Sequence, residues 1–216
     1  MAGDGGPART GDRVTLGEIE VLLGAAAEPG DAMVTLDLRR HEETARTWLG
    51  NGALLGLQAL HPLVSPHVDP TGLRFLGAGP GAGAAACVAA HVRMASVVLV
   101  ADAEEERRVR ALMEGVADAA PIRFVRSPDQ VDGAVLDHVV VVGLGGASVG
   151  EVARFGAYAL RLRPEGQMSL FGFPDAEVPD TSEAMAVQGF ALRAYGRRDG
   201  LAFLGGSWEH RQLARR

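Results

Sequence analysis

Two runs constrain this chain more than anything else in it: SVVLVA (residues 96–101) and LDHVVVVGL (residues 136–144). Each is apolar without alternation and rich in β-branched residues. Such a run makes a strand covered on both faces rather than one with a wet side. Between and around these strands the pattern changes period. LRFL (73–76) is a short apolar strand and AGAAACVAAHVRMA (82–95) a small-residue helix. AEEERRVRALMEGVADA (103–119) is an amphipathic helix and PIRFVR (121–126) another strand. SVGEVARFGAYALRL (148–162) opens on a capping box, Ser148 with Glu151, and after the turn RPEG the segment QMSLFGF (167–173) is the next strand. Alternating strand and helix on this scale predicts a mostly parallel α/β sheet with helices on both faces.

The end of the chain breaks that rhythm. A helix is expected near 181–188. FALRAY (190–195) and LAFLGG (201–206) then flank RRDG, an antiparallel hairpin with an Asp-Gly turn. The beginning differs too. Residues 1–12 read as a disordered leader. From Val14 to about Leu60 the spacing predicts helices, with Leu16, Ile19 and Leu23 on one face of the first, and two more over 37–49 and 53–60. HPLVSPHVDPTG (61–72) is a linker. The expected organisation is a leader (1–12), an N-terminal helical segment with its linker (13–71), and an α/β domain (72–216).

Composition narrows the chemistry. All 21 basic residues are arginine, so no P-loop lysine, Schiff base or pyridoxal anchor exists. The single cysteine, Cys87, permits neither a disulfide framework nor a cysteine metal cluster, which points to a reducing compartment and a cytoplasmic chain. A net charge of −6 argues against a nucleic-acid surface. The longest weakly polar run, 76–90, is too short and too rich in glycine and alanine for a membrane span. No H-E-x-x-H, paired cysteine, G-x-S-x-G or Walker pattern occurs, and no metal is expected.

The chemistry-bearing motif is FLGAGPGAG (75–83). Its Gly77-Ala78-Gly79-Pro80-Gly81-Ala82 fits G-x-G-x-x-G/A between a strand and a helix. Glycines there let a ligand approach the main chain and meet free helix N–H groups. Asp102 ends the next strand, where a ribose-binding acid belongs, although it also suits a helix N-cap. Gly143 ends the fourth strand at the same edge. His138 sits at the start of that strand and reads as a structural histidine. His41 and Glu42 are the weak candidates for a catalytic base, set against a solvated helix face.

These residues resemble the class I S-adenosylmethionine-dependent methyltransferases over about 72–206. LRFLGAGPG looks like their first motif, VVLVAD like their second strand with its ribose acid, and LDHVVVVGLGG like their fourth strand. LRLRPEGQMSLFGF resembles the turn and fifth strand, and the terminal hairpin is their mark. The resemblance implies a Rossmann-like sheet and S-adenosylmethionine bound by Gly77, Ala78, Gly79, Gly81, Asp102 and Gly143. Asp129, in SPDQ after the third strand, is the implied adenine contact. A small-molecule substrate is expected, since the N/D-P-P-Y/F signature of base methylation is absent; a homodimer stays open. The position at which the family carries an acid in its first strand is Phe75. In that respect the chain is similar to the nicotianamine synthase-like enzymes, which transfer an aminocarboxypropyl group. Methyl transfer, aminocarboxypropyl transfer and a non-catalytic binding or scaffold domain all fit. A flavin or nicotinamide oxidoreductase fits less well, because flavin folds need far more chain after such a turn.

Overall fold

The computed structural model describes residues 13–16, 19–22, 35–36, 70–79, 82–91, 93–114, 119–133, 135–143, 155–198 and 201–208. Ten strands are found there: β1 (Arg13–Leu16), β2 (Ile19–Leu22), β3 (Thr35–Leu36), β4 (Arg74–Ala78), β5 (Ser96–Val100), β6 (Ile122–Val125), β7 (Leu136–Val142), β8 (Leu162–Pro174), β9 (Phe190–Arg198) and β10 (Leu201–Trp208). Three helices are α1 (Ala82–His91), α2 (Ala103–Leu112) and α3 (Val178–Val187), and residues 155–159 are also helical.

The main sheet has seven strands in the order β6-β5-β4-β7-β8-β10-β9. From β6 to β8 every pairing is parallel. β10 then runs antiparallel to both β8 and β9. The chain winds outward from β4 to β6, crosses back, and continues on the other side of β4 with β7. That reversal creates a crevice at the carboxyl ends of β4 and β7.

Side-chain alternation fills two apolar layers. Phe75, Val97, Leu99, Val140 and Val142 face α1, while Leu76, Val98, Val139, Val141 and Leu170 face Phe155, Tyr158, Ala184 and Met185. Residues 82–90 of α1 are all buried. An amphipathic helix would leave one face wet; this one is enclosed by the sheet, by α2 and by β1, which lies against it. Its alanines and glycine let those neighbours approach.

The N-terminal expectation fails where it can be checked. Residues 13–16 and 19–22 are not helical; they form an antiparallel hairpin with Arg13 opposite Leu22 and Leu16 opposite Ile19, and β3 adds to β2. Helical spacing of Leu16 and Ile19 competes there with β-branched Val14, Thr15, Ile19 and Val21, and with a Gly17-Glu18 pair of the kind that suits a two-residue hairpin loop. The helices expected over 37–60, the leader and the Ser148–Glu151 capping box lie outside the described residues.

One further boundary moves. RPEG is not a turn before a strand but part of β8. It bulges so that Leu162 pairs with Leu136 and Gln167 with His138, and Glu165 takes a positive φ of 66°. Asp137 pins this bulge, accepting from Arg163 and from the Arg74 amide at 2.8 Å.

Candidate functional site

The site expected from the glycine motif starts later than the motif does. Gly77 and Ala78 are the last residues of β4, and the turn begins at Gly79. Gly79 has a φ of +89°, and a Cβ there would stand 2.0 Å from the Val142 carbonyl oxygen. That position thus requires glycine twice, for its backbone conformation and for its contact with the end of β7. Gly77 serves packing: a Cβ would meet Ala82 and the Phe75 ring, each within 3.3 Å. The Ala82 amide donates to Gly79 O at 3.1 Å, which turns the chain into α1.

Gly143 closes the same edge from β7. Its φ is +73° and its amide donates to Phe171 O at 2.5 Å. The ends of β4 and β7 therefore carry two residues in the left-handed region at the sheet's switch point, with exposed Gly79 and Gly143 on the rim. Gly81 lies outside the described residues, as do His41 and Glu42.

Asp102 follows the end of β5, beside this crevice, and is the N-cap of α2. Its Oδ1 accepts from the amides of Glu104 at 2.9 Å and Glu105 at 2.8 Å. These amides, with the nearby guanidinium groups of Arg126 and Arg108, hold its carboxyl below the usual range against a smaller opposing effect of burial. The cap and the ligand reading do not compete for atoms. Oδ2 has no partner among the described residues and can accept from a hydroxyl.

Asp129 occupies a 3-10 turn, Pro128–Gln130, capped by Ser127. Its carboxylate is already engaged: Oδ2 accepts from Ser127 Oγ at 3.2 Å and Oδ1 from Arg161 Nη2 at 3.4 Å. The side chain is exposed nonetheless.

His138 is fully buried and pairs with Phe75 across β4 and β7, four residues before the carboxyl edge at Val142. At roughly 3.3 Å per residue that is about 13 Å from the crevice. Nε2 lies 3.1 Å from Ser169 Oγ, and burial lowers the pKa to about 4, so the ring is neutral. Cys87 is buried in α1 with its thiol pushed up to about 12, first by burial and then by Glu105, so it is no nucleophile. Among the described residues no three His, Cys, Asp or Glu side chains could hold a metal ion.

Two residues near the site escaped the sequence reading. Glu105, in the acidic first turn of α2, turns inward over α1. A Cβ on Gly83 would stand 2.2 Å from its Oε1, and burial raises its pKa against Arg108 and the Gly83 amide. Arg126 follows β6 and reaches the last carbonyl before Asp102. Only its place after an apolar strand could have signalled it.

No family model and no curated protein matches the chain. Solved structures do. A ribosomal protein L11 methylase from Lactobacillus delbrueckii subsp. bulgaricus aligns with TM-score 0.60 at 19% identity, covering 74% of this chain and 80% of that one. The chain has the class I methyltransferase fold. Magnesium protoporphyrin IX methyltransferase from Synechocystis PCC 6803, solved with bound SAM, aligns with TM-score 0.58 at 16% identity over 82% and 86% of the two chains. An S-adenosylmethionine-dependent methyltransferase from Mesorhizobium loti gives 0.52 at 14% over 69% and 97%.

Proposed function

We propose that this chain is an S-adenosylmethionine-dependent transferase that methylates a small molecule. The observation that carries the reading is Asp102. At the carboxyl end of β5, beside the switch point, a carboxylate is fixed through one oxygen and open through the other. That is the acceptor a ribose diol needs. Gly79 and Gly143 leave the neighbouring main chain bare for the nucleoside, and Gly77, Ala78 and Gly81 are the remaining motif residues we assign to the cofactor. Asp129 is the adenine-side candidate.

Bound there, S-adenosylmethionine supplies a sulfonium-activated carbon, so the chain's share is to hold reactants in line and exclude water. His138 and Cys87 are too buried to serve as the base. His41 and Glu42 are the residues we would test for that role. The single, buried cysteine and the acidic charge favour a cytoplasmic enzyme acting on something other than nucleic acid. Among the described residues no helix is long and apolar enough to cross a membrane.

One observation favours a second reading. Phe75 is fully buried with its ring against Gly77, so the first strand offers no acid to the amino-acid end of the cofactor. Aminocarboxypropyl transfer, with a different S–C bond broken, suits such a site. Calorimetry with S-adenosylmethionine and S-adenosylhomocysteine tests binding, and no heat with either at millimolar concentration sinks both enzyme readings. Turnover on a small-molecule extract separates them. Methyl transfer releases S-adenosylhomocysteine, while aminocarboxypropyl transfer releases methylthioadenosine.

A further inference from the structure

Asp102 is held from behind as well as by its own cap. Ala101, the residue before it, donates its amide to Val125 O at 3.0 Å, which extends the β5–β6 pairing by one residue. Its carbonyl accepts from Arg126 Nη1 at 2.5 Å. Arg126 Nη2 donates to Glu106 Oε2 at 2.7 Å, and Glu106 Oε1 accepts from Arg110 Nη2 at 2.8 Å. The Arg110 guanidinium in turn lies 4.6 Å from the centre of the Phe124 ring, on β6. The Arg126 main chain is fixed too, its amide donating to Gln130 Oε1 at 2.6 Å.

This is a closed loop of contacts: β6 to Arg126, to the end of β5, to α2 through Glu106, and back to β6 through Arg110 and Phe124. Asp102 is the joint between β5 and α2, the two elements the loop ties together. We propose that Arg126 is a positioning residue for Asp102, its guanidinium locking the β5–α2 joint so that the free carboxylate oxygen faces the ribose hydroxyls. Two fixed donors in the guanidinium plane suit this task, and a lysine ammonium cannot reproduce them.

The inference rests on the ribose role proposed for Asp102, so the experiment reads both. Calorimetry measures binding of S-adenosylhomocysteine and of its 2′-deoxy analogue to wild type, D102N, R126M, R126K, E106Q and D102N/R126M, with thermal melts to confirm folding. R126M is expected to weaken S-adenosylhomocysteine binding about tenfold, the size of one lost charge-assisted contact discounted for exposure. It should also bring the two ligands to nearly equal affinity. R126K and E106Q should fall between R126M and wild type, and the double variant should be no weaker than D102N alone. E106Q loosens the same guanidinium from the α2 side and leaves its bond to the Ala101 carbonyl in place, and so carries the test if R126M does not fold. Wild-type binding by R126M or, failing that, by E106Q, beside a weakened D102N, overturns the positioning role and leaves the ribose reading standing. Equal losses for both ligands reduce Arg126 to a structural brace and also overturn it. Unchanged binding by D102N removes the ribose reading and this inference with it.

Discussion

Gly79 and His138 show what single positions contribute at opposite ends of the central strands. A Gly79→Ala side chain would meet both a φ of +89° and the Val142 carbonyl oxygen. A strained left-handed residue alone costs about 1–3 kcal/mol, so the variant should lose at least about 2 kcal/mol in urea denaturation and lose S-adenosylhomocysteine binding with it. His138 has the opposite character, a comfortable backbone and an awkward proton. The unfolded chain takes up a proton near pH 6.5, while the folded chain resists until about 4. A folded-state pKa below the unfolded value means stability is full above pH 6.5 and drains between there and 4. The gap is worth about 3 kcal/mol at most. The carboxylates held low, Asp102 and Glu106, act in the ordinary carboxylate range and below. The urea midpoint should therefore fall from pH 7.5 to pH 5, and in His138→Asn that slope should flatten. An unchanged slope would remove His138 as its source.

Among the elements, the helix pair α1–α2 is the one whose packing the sequence both revealed and concealed. The run AGAAACVAA announced a helix of small side chains. It did not announce that Gly83 is the contact point, with Glu105 and Val109 so close that a Cβ would sit 2.2 Å and 2.6 Å from their atoms. Gly83→Ala should destabilise by about 1–3 kcal/mol as an overpacked contact. Val109→Ala on that background should restore part of the loss, and simple additivity in the double variant would refute this packing account. The same limit explains other misreadings. Strands 96–100 and 136–142 were legible because burial on both faces forces an apolar run. The N-terminal hairpin was not, because four-residue strands leave too short a pattern to tell a period of 2 from 3.6. RPEG looked like a turn because proline and glycine usually break strands; here the bulge absorbs them. Asp102 could be found from its place after a strand, whereas Arg126 acts through a carbonyl that sequence does not locate. The inward turn of Glu105 is not legible because it depends on Gly83 lacking a side chain.

For the whole molecule, the terminal hairpin is a structural seal more than an appendage. β10 is inserted between β8 and β9, pairing with β8 from Leu201 opposite Pro174 to Ser207 opposite Gln167. Without it, the β8 edge stands open beside an apolar face formed by Met168, Leu170 and Phe173. An unpaired, apolar edge of that length is a template for association. Phe190, Leu204 and Trp208 also pack into the apolar layer that holds Ala184 and Met185 of α3, and the Trp208 indole donates to Gln188 O at 3.2 Å. Ending the chain at Gly189 removes all of this while sparing β4, α1, β5 and the whole proposed ligand edge. If the α/β unit were self-sufficient, such a variant would keep the association state of the intact chain and bind S-adenosylhomocysteine. The packing predicts otherwise: loss of the cooperative thermal transition and association visible by light scattering, even though no residue proposed to touch the ligand has been removed. A cooperatively melting truncation with the association state of the intact chain would show that the seven-strand order is not needed to hold the site together.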